Sequence, residues 1–249
     1  MKEVFIVSAV RTPMGSFMGS LSTVPATKLG ATAVKGALDK IGLDPNQVQE
    51  IYMGNVLQAG EGQAPARQVA LGAGLSINTP STTVNKVCAS GMKAVTMAAQ
   101  AIKAGDAEVI VAGGMENMSL GGHALYARAG HRMGPATMID MMMYDGLTDA
   151  FSGTAMGITA ENVAKQFGIT REQQDEFSYN SHHKAAAAMA AGKFKNEILP
   201  VEVKGRKETV IIDKDEFIKP ETTVEILAKL KPAFDQDGTV TAGNSSGIN

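Results

Sequence analysis

Ser81-Thr82-Thr83-Val84-Asn85-Lys86-Val87-Cys88-Ala89-Ser90-Gly91-Met92 opens a stretch that continues through Ala104 and Gly105 to Val109-Ile110-Val111-Ala112. Three elements can be read from it. Ser81 to Asn85 is rich in β-branched residues and predicts a strand. Ser90 to Ala104 has a helical pattern closed by Gly105, and Val109 to Ala112 is a short apolar run, as expected of a buried strand. Strand, helix and strand in that order predict a parallel sheet covered by helices.

The same alternation extends upstream. Val4 to Ala9 is apolar and predicts a first strand running into a Gly-rich connection from Arg11 to Gly19. Leu29, Ala33, Ala37 and Ile41 recur every fourth residue and predict a helix ending near Gly42, with Asp44 and Pro45 as cap and first residue of another turn. Glu50 to Leu57 predicts a strand and Pro65 to Ala73 a helix. After Gly114 the chain turns to Gly, Met and loop residues through about Gly157, too long for an ordinary connection, which sets a domain boundary near Met118. Further on, Thr170 with Gln173 forms a capping-box pair ahead of a long helix through Ala191 to Gly192. Thr222 with Glu225 repeats the signal before Ile226 to Leu230. Ile198 to Lys204 and Thr209 to Asp213, joined at Gly205, predict a hairpin. The expected organisation is a layered α/β half-domain over residues 1–117 and a mixed α+β loop domain over 118–249.

Composition narrows the function classes. The chain has 249 residues, 44% of them hydrophobic, enough for one large or two small cores. The 23 Lys and Arg nearly balance the 25 Asp and Glu, so nucleic acid and anionic membrane are not the expected partners and a small ligand is. The apolar start is interrupted by Glu3 and closed by Arg11, unlike a signal peptide, and no run reaches the ~18 apolar residues of a membrane span. A single cysteine forms no internal disulfide, and with four histidines it makes no zinc-ligand pattern, so no metal is expected and a reducing cytoplasm is.

Cys88 lies between the expected strand and the start of the expected helix. A free thiol titrates near pH ~8.5, and a helix N-terminus favours the thiolate, the form that attacks carbonyl carbon. The unpaired backbone N–H groups of such a terminus also suit a developing oxyanion. Spacing alone admits, and rather favours, an inert cysteine packed as a small hydrophobe.

Asn85 to Gly91 together with Gly113-Gly114-Met115-Glu116 resembles the active-cysteine signature and following strand-turn of thiolases. The resemblance extends over nearly the whole chain: Ser8 to Pro13, Gly54 to Leu57, Gly62 to Gln68 and Gly238 to Gly247. It is nearest the biosynthetic, acetoacetyl-CoA-forming branch. It implies a thiolase-like layered α/β/α half-domain with an inserted loop domain that holds coenzyme A, and a sheet gaining a strand from residues past Asn249. It also implies that Cys88 carries an acyl group as a thioester, its backbone N–H contributing to the oxyanion hole. That group passes to a second acetyl-CoA, or the reverse cleavage runs. No dissociable cofactor is implied; coenzyme A is substrate and product. Carried over position by position, Leu147 and Met156 match neighbours of the acyl and pantetheine arm. Phe234 and Ala242 match adenine and pantetheine neighbours, Ser246 a hydroxyl facing the pantetheine amide, and Lys219 a position where the family often has Arg near the phosphates. A surface lysine is the alternative reading of Lys219, and core filler that of most of the 15 methionines, Met141-Met142-Met143 included. His182 and His183 are expected on the surface. His123 and His131, in the stretch that the resemblance links to homodimer and homotetramer assembly, are given no chemistry.

The sequence departs from the family in two places. Ala155 stands where the biosynthetic branch has a histidine near the pantetheine, which keeps a degradative thiolase for longer 3-ketoacyl chains as an alternative. The family's C-terminal half is absent from these 249 residues, and with it the histidine that activates the nucleophile, the second cysteine that moves the α-carbon proton and an asparagine that orients a water. General acid–base help is worth roughly 10² to 10⁴-fold, so the chain alone is expected to acylate slowly and condense negligibly. A non-catalytic acyl-CoA-binding module is the reading from another class; an in-frame continuation with Gly-His-Pro-like and Cys-Gly-Gly-like motifs separates the two.

Overall fold

The computed structural model describes residues 2–128, 130–205 and 207–249. Three parallel strands form its sheet: β1 (Glu50–Gly54), β2 (Ser81–Val84) and β3 (Ile110–Gly114), in the order β2-β1-β3. Successive residues of β1 serve opposite faces, as the two-residue period of a strand requires. Ile51 and Met53 enter a core with Val34, Leu38, Val69 and Ala70 of α1 (Ala26–Asp39) and α2 (Pro65–Gly72). Tyr52 meets Ala94 and Ala98 of α3 (Ser90–Ala104) on the other face. Helices thus cover both faces, the mixed α/β layering expected, and Gly105 ends α3 at φ 91°, a conformation open to glycine at little cost.

Beyond β3 come a two-stranded ladder of β4 (His123–Ala124) and β5 (Ile139–Asp140), a π-helical turn over Met142–Gly146, then α4 (Met156–Phe167) and α5 (Arg171–Ala190). The expected hairpin is present as β6 (Val201–Lys204) paired with β7 (Thr209–Ile212), and α6 (Val224–Ala228) follows. Val201 of the hairpin shares a small core with Leu21, Val24 and Leu29, which ties this segment to the start of α1. Arg11 reinforces the joint by a two-pronged bond to Asp215 at 2.6 and 2.9 Å and another to Glu197 at 2.7 Å. The Thr170–Gln173 capping box holds the start of α5 on both sides.

Several expectations are corrected. Val4 to Ala9 does not form a strand: a cleft of about 1260 Å³ separates it from β3, whose second edge is unpaired among the described residues. Without a ladder partner Phe5, Ile6 and Val7 stay 72–79% exposed. Leu29, Ala33 and Ala37 of the expected stripe lie on α1 and line this cleft, as does Ile41 just past the helix end at Asp39; Val34 and Leu38 line it too and also enter the main core with Ala31. β1 ends at Gly54, short of the expected Leu57: the Asn55 amide still reaches Val84 of β2, but the amides of Val56 and Leu57 donate to the Glu116 carboxylate instead of to a strand. α4 has no expected counterpart, since its N-cap, Ala155, offers no side-chain bond. The cap of α6 is Thr223 instead of Thr222, whose carbonyl is engaged by His183. Among the buried hydrophobics only Met53, Met115 and Met142 are methionines, whereas Met92, Met133, Met138 and others are exposed, so most are not core filler.

Candidate active site

The site begins where β2 ends. Val84 accepts the Asn55 amide at 3.0 Å, and the chain then turns tightly into α3. The Asn85 side-chain carbonyl accepts from the Val87 amide at 3.0 Å, while the Ser90 hydroxyl accepts from the Lys86 amide at 2.8 Å and donates to the Val87 carbonyl. Val87 is held at φ 49°, a left-handed conformation that costs a β-branched residue on the order of 1–3 kcal/mol and persists only where neighbours over-determine it. Cys88 follows immediately, exposed and free of any disulfide, with Ala89 as N-cap and Ser90 as the first residue of α3.

Glycines set how close this elbow sits to the sheet. A Cβ on Gly54 would lie 2.4 Å from the Gly91 nitrogen, and one on Gly114 would lie 3.2 Å from the Gly91 Cα. The first turn of α3 therefore rests directly on the ends of β1 and β3, which places Cys88 at the carboxyl end of the parallel sheet, where open α/β sheets bind their ligands.

Behind the elbow, buried Asn55 donates to Glu116 at 3.0 Å and lies 3.5 Å from Glu61. Glu116 also receives the Val56 and Leu57 amides at 2.8 and 3.1 Å, so it binds the exits of β1 and β3 together. Burial raises Glu116 above the usual carboxylate range; burial and then the charge of Glu116 push Glu61 up to about 6.

A second group of candidate residues collects around the start of α4. Met156 donates its amide to the Leu147 carbonyl at 2.9 Å, and the Phe234 ring lies over Gly157, where an added Cβ would meet ring carbons. The Ala233 amide bonds the Val240 carbonyl at 2.9 Å, so the Phe234 segment is strapped to the turn that presents Ala242 and Ser246, both exposed. Ala155 pairs with Thr148 in an isolated antiparallel bridge beside Leu147 and Met156. The Lys219 ammonium stands over the Phe217 ring at 5.1 Å, a ring that packs against Gly247 next to Ser246, and the Lys219 amide donates to His182 at 3.2 Å.

Residues 4–249 match the family described as thiolase, N-terminal domain. The chain belongs to the thiolase family. It is similar to the acetyl-CoA acetyltransferase of Chromobacterium violaceum, 56% identical over 249 residues that make up 99% of this chain and 64% of that one. It is also similar to the proteins of the same name from Cupriavidus necator and Escherichia coli K12, 55% and 56% identical over 251 residues, 100% of this chain and 64% of each of those. The thiolase chain thus spans about 64% of the length of the curated relatives it matches.

Within this thiolase, the structure brings Leu147, Met156 and Phe234 together at the start of α4, with Ala242 and Ser246 on the adjoining turn, and sets Lys219 against Phe217 and His182. His182 and His183 are half-buried rather than surface residues, bonded to the Lys219 amide and the Thr222 carbonyl. Burial, then the nearby Lys219 charge, lowers His182 below the ordinary histidine value. His123 is exposed on β4, and His131 bonds only the Gly134 carbonyl among the described residues. Sequence reasoning missed Val87 and Ser90, whose roles are conformational, and the acidic residues Glu161 and Asp175, which sit on helices far in sequence from the turn they hold. No helix is long and apolar enough to cross a membrane among the described residues, and none of their His, Cys, Asp and Glu side chains cluster as a metal site.

Proposed function

We propose that this thiolase chain supplies the nucleophile and the coenzyme A cradle of an acetyl-CoA acetyltransferase. The Cys88 sulfur attacks the thioester carbonyl of acetyl-CoA. A new C–S bond forms at Cys88, the bond to coenzyme A breaks, and the departing thiolate takes a proton to leave as free coenzyme A. The acetyl group then moves to the α-carbon of a second acetyl-CoA that has lost a proton to a base, giving acetoacetyl-CoA and restoring the thiol. Thiolysis is the reverse. Exchange of one thioester for another changes free energy little, which suits a covalent route. The backbone N–H of Cys88, at the start of α3, stabilises the oxyanion. Leu147, Met156, Phe234, Ala242 and Ser246 hold the pantetheine and adenine, and Lys219 supplies phosphate charge without the two-pronged geometry of arginine. The protein works as a homodimer or homotetramer of longer chains, in the cytoplasm, with no cofactor besides its substrate.

The observation that carries this reading is an exposed cysteine on a strained, fully braced strand-to-helix elbow at the carboxyl end of the sheet. The small Ala155, next to the Leu147–Met156 pair, favours one variation, acceptance of longer 3-ketoacyl chains. In a protein that includes the C-terminal thiolase half, Cys88→Ser should lower the thiolysis rate of acetoacetyl-CoA by several orders of magnitude. Near-normal thiolysis in that variant would remove Cys88 from the role.

A further inference from the structure

Residues 239–246 have no regular secondary structure, yet they present Ala242 and Ser246 and strap the Phe234 segment. What holds them comes from two consecutive helices. On α4, Gly157 and Glu161 are four apart and share a face: Gly157 receives the Phe234 ring, and Glu161 receives the chain that follows. The Glu161 carboxylate accepts the Val240 amide at 2.6 Å, the Thr239 amide at 2.9 and 3.0 Å on its two oxygens and the Thr239 hydroxyl at 3.1 Å. Among the described residues it has no ion-pair partner, so both oxygens serve the turn. Gly238 allows this approach, since a Cβ there would overlap the Glu161 carboxylate.

On α5, Gln174, Asp175 and Ser178 face the same segment, and Arg171, one turn earlier, bonds Asp175 and the Leu227 and Leu230 carbonyls. Asp175, 1% exposed, takes Arg171 on one oxygen at 2.8 Å and the Asn244 amide on the other at 2.9 Å. Asn244 is the internal brace: it accepts the Thr241 amide at 2.7 Å and donates to the Thr239 carbonyl at 3.1 Å. Gln174 donates to the Thr239 hydroxyl at 2.9 Å and Ser178 to the Gly243 carbonyl at 2.7 Å. A carboxylate accepting several N–H groups makes charge-assisted bonds about twice as strong as neutral ones, and a buried polar partner left unmatched is costly.

We propose that Glu161 and Asp175 are positioning residues for coenzyme A, holding the 239–246 turn so that Phe234, Ala242 and Ser246 meet the ligand together. This rests on the coenzyme A reading above. It adds that affinity is set from α4 and α5, by side chains that never touch the ligand.

The test uses Asp175→Asn, equal in size but with an amide that must face either Arg171 or the Asn244 amide, donor against donor. Hydrogen exchange read by mass spectrometry should quicken about tenfold or more in residues 238–247 and remain unchanged in β1, β2, β3 and α3. Titration with coenzyme A should show about tenfold weaker binding, while alkylation of Cys88 by iodoacetamide, which needs no cradle, should keep its rate. Should Asp175→Asn fail to fold, Glu161→Gln on the other helix carries both measurements, with about threefold or greater weakening expected. Unchanged exchange in the turn, or faster exchange with unchanged affinity, would overturn the proposal. A wild-type chain that bound no coenzyme A would instead count against the ligand assignment, and the exchange measurement would still decide whether the two carboxylates hold the turn.

Discussion

Gly54→Ala is a severe yet small perturbation of the candidate site. The added methyl would lie 2.4 Å from the Gly91 nitrogen, 2.5 Å from the Ser90 carbonyl carbon and 2.8 Å from the Ser90 Cβ, whereas ordinary contact begins at 3.4 Å. The obstacle is backbone at the start of α3, so no side chain can swing away and the first turn must retreat by about 1 Å. Overpacking of this kind costs about 1–3 kcal/mol. Removing a flexible strand glycine returns roughly 0.5–1 kcal/mol, and because the 2.4 Å overlap with backbone puts the overpacking at its upper end, about 3 kcal/mol, a net loss near 2 kcal/mol is expected. For a chain of this size that lowers Tm by roughly 4–8 °C. Thermal unfolding by circular dichroism reads the stability, and the iodoacetamide rate at Cys88 reads the displaced elbow. Gly122→Ala is the control, because nothing lies within 4 Å of its would-be Cβ and its φ is not positive. A Gly54→Ala chain as stable as the control, with an unchanged rate at Cys88, would refute the close-packing account of the elbow.

Three further outcomes are expected. Glu61 is raised from 4.5 to about 6, so the folded chain holds its proton more tightly than the unfolded chain, and the associated stability is full below about pH 4.5 and is lost as pH rises through about 6. Full burial would make that about 2 kcal/mol; for this partly buried group about 1 is expected, so Glu61→Gln should stabilise by that amount at pH 7 and not at pH 4.5, and equal urea midpoints at pH 7 would contradict it. The 249-residue chain, with its cleft open beside Phe5, Ile6 and Val7, should bind a hydrophobic dye or self-associate, since covering even ~400 Å² of apolar surface contributes about 10 kcal/mol; a monodisperse monomer with one cooperative transition and no dye uptake would show that the cleft needs no further strand. In the protein completed by a C-terminal half, Ala155 should flatten the preference for acetoacetyl-CoA over a six-carbon 3-ketoacyl-CoA, and a steep kcat/KM ratio for the short substrate would show that Ala155 matters little.

Features specified by neighbouring residues were legible in the sequence. The elbow at Cys88, the Gly105 stop, the Thr170–Gln173 box and the hairpin each lie within a few residues of their cause, and each is present. Features specified across the chain were not. Val4 to Ala9 has the composition of a strand, but a strand exists only where a partner lies beside it, and here a cleft does. Nothing in the local pattern distinguishes Glu161 or Asp175 from the solvated carboxylates of a helix, because the partners they hold in the turn, Thr239 and Asn244, are 78 and 69 residues away in the chain. Val87 in a left-handed conformation runs against its own propensity, and only the bonds from Asn85 and Ser90 explain it.

The most direct test of the central claim is to incubate the chain with acetyl-CoA and map acetyl adducts by peptide mass spectrometry, beside Cys88→Ser. A slow, thioester-linked acetyl group confined to the peptide containing Cys88, released by hydroxylamine and by added coenzyme A and absent as a thioester in the variant, is the predicted result. Acetylation spread over lysines with Cys88 unmodified, or a Cys88 adduct that coenzyme A does not release, would contradict the assignment of Cys88 as the acyl carrier.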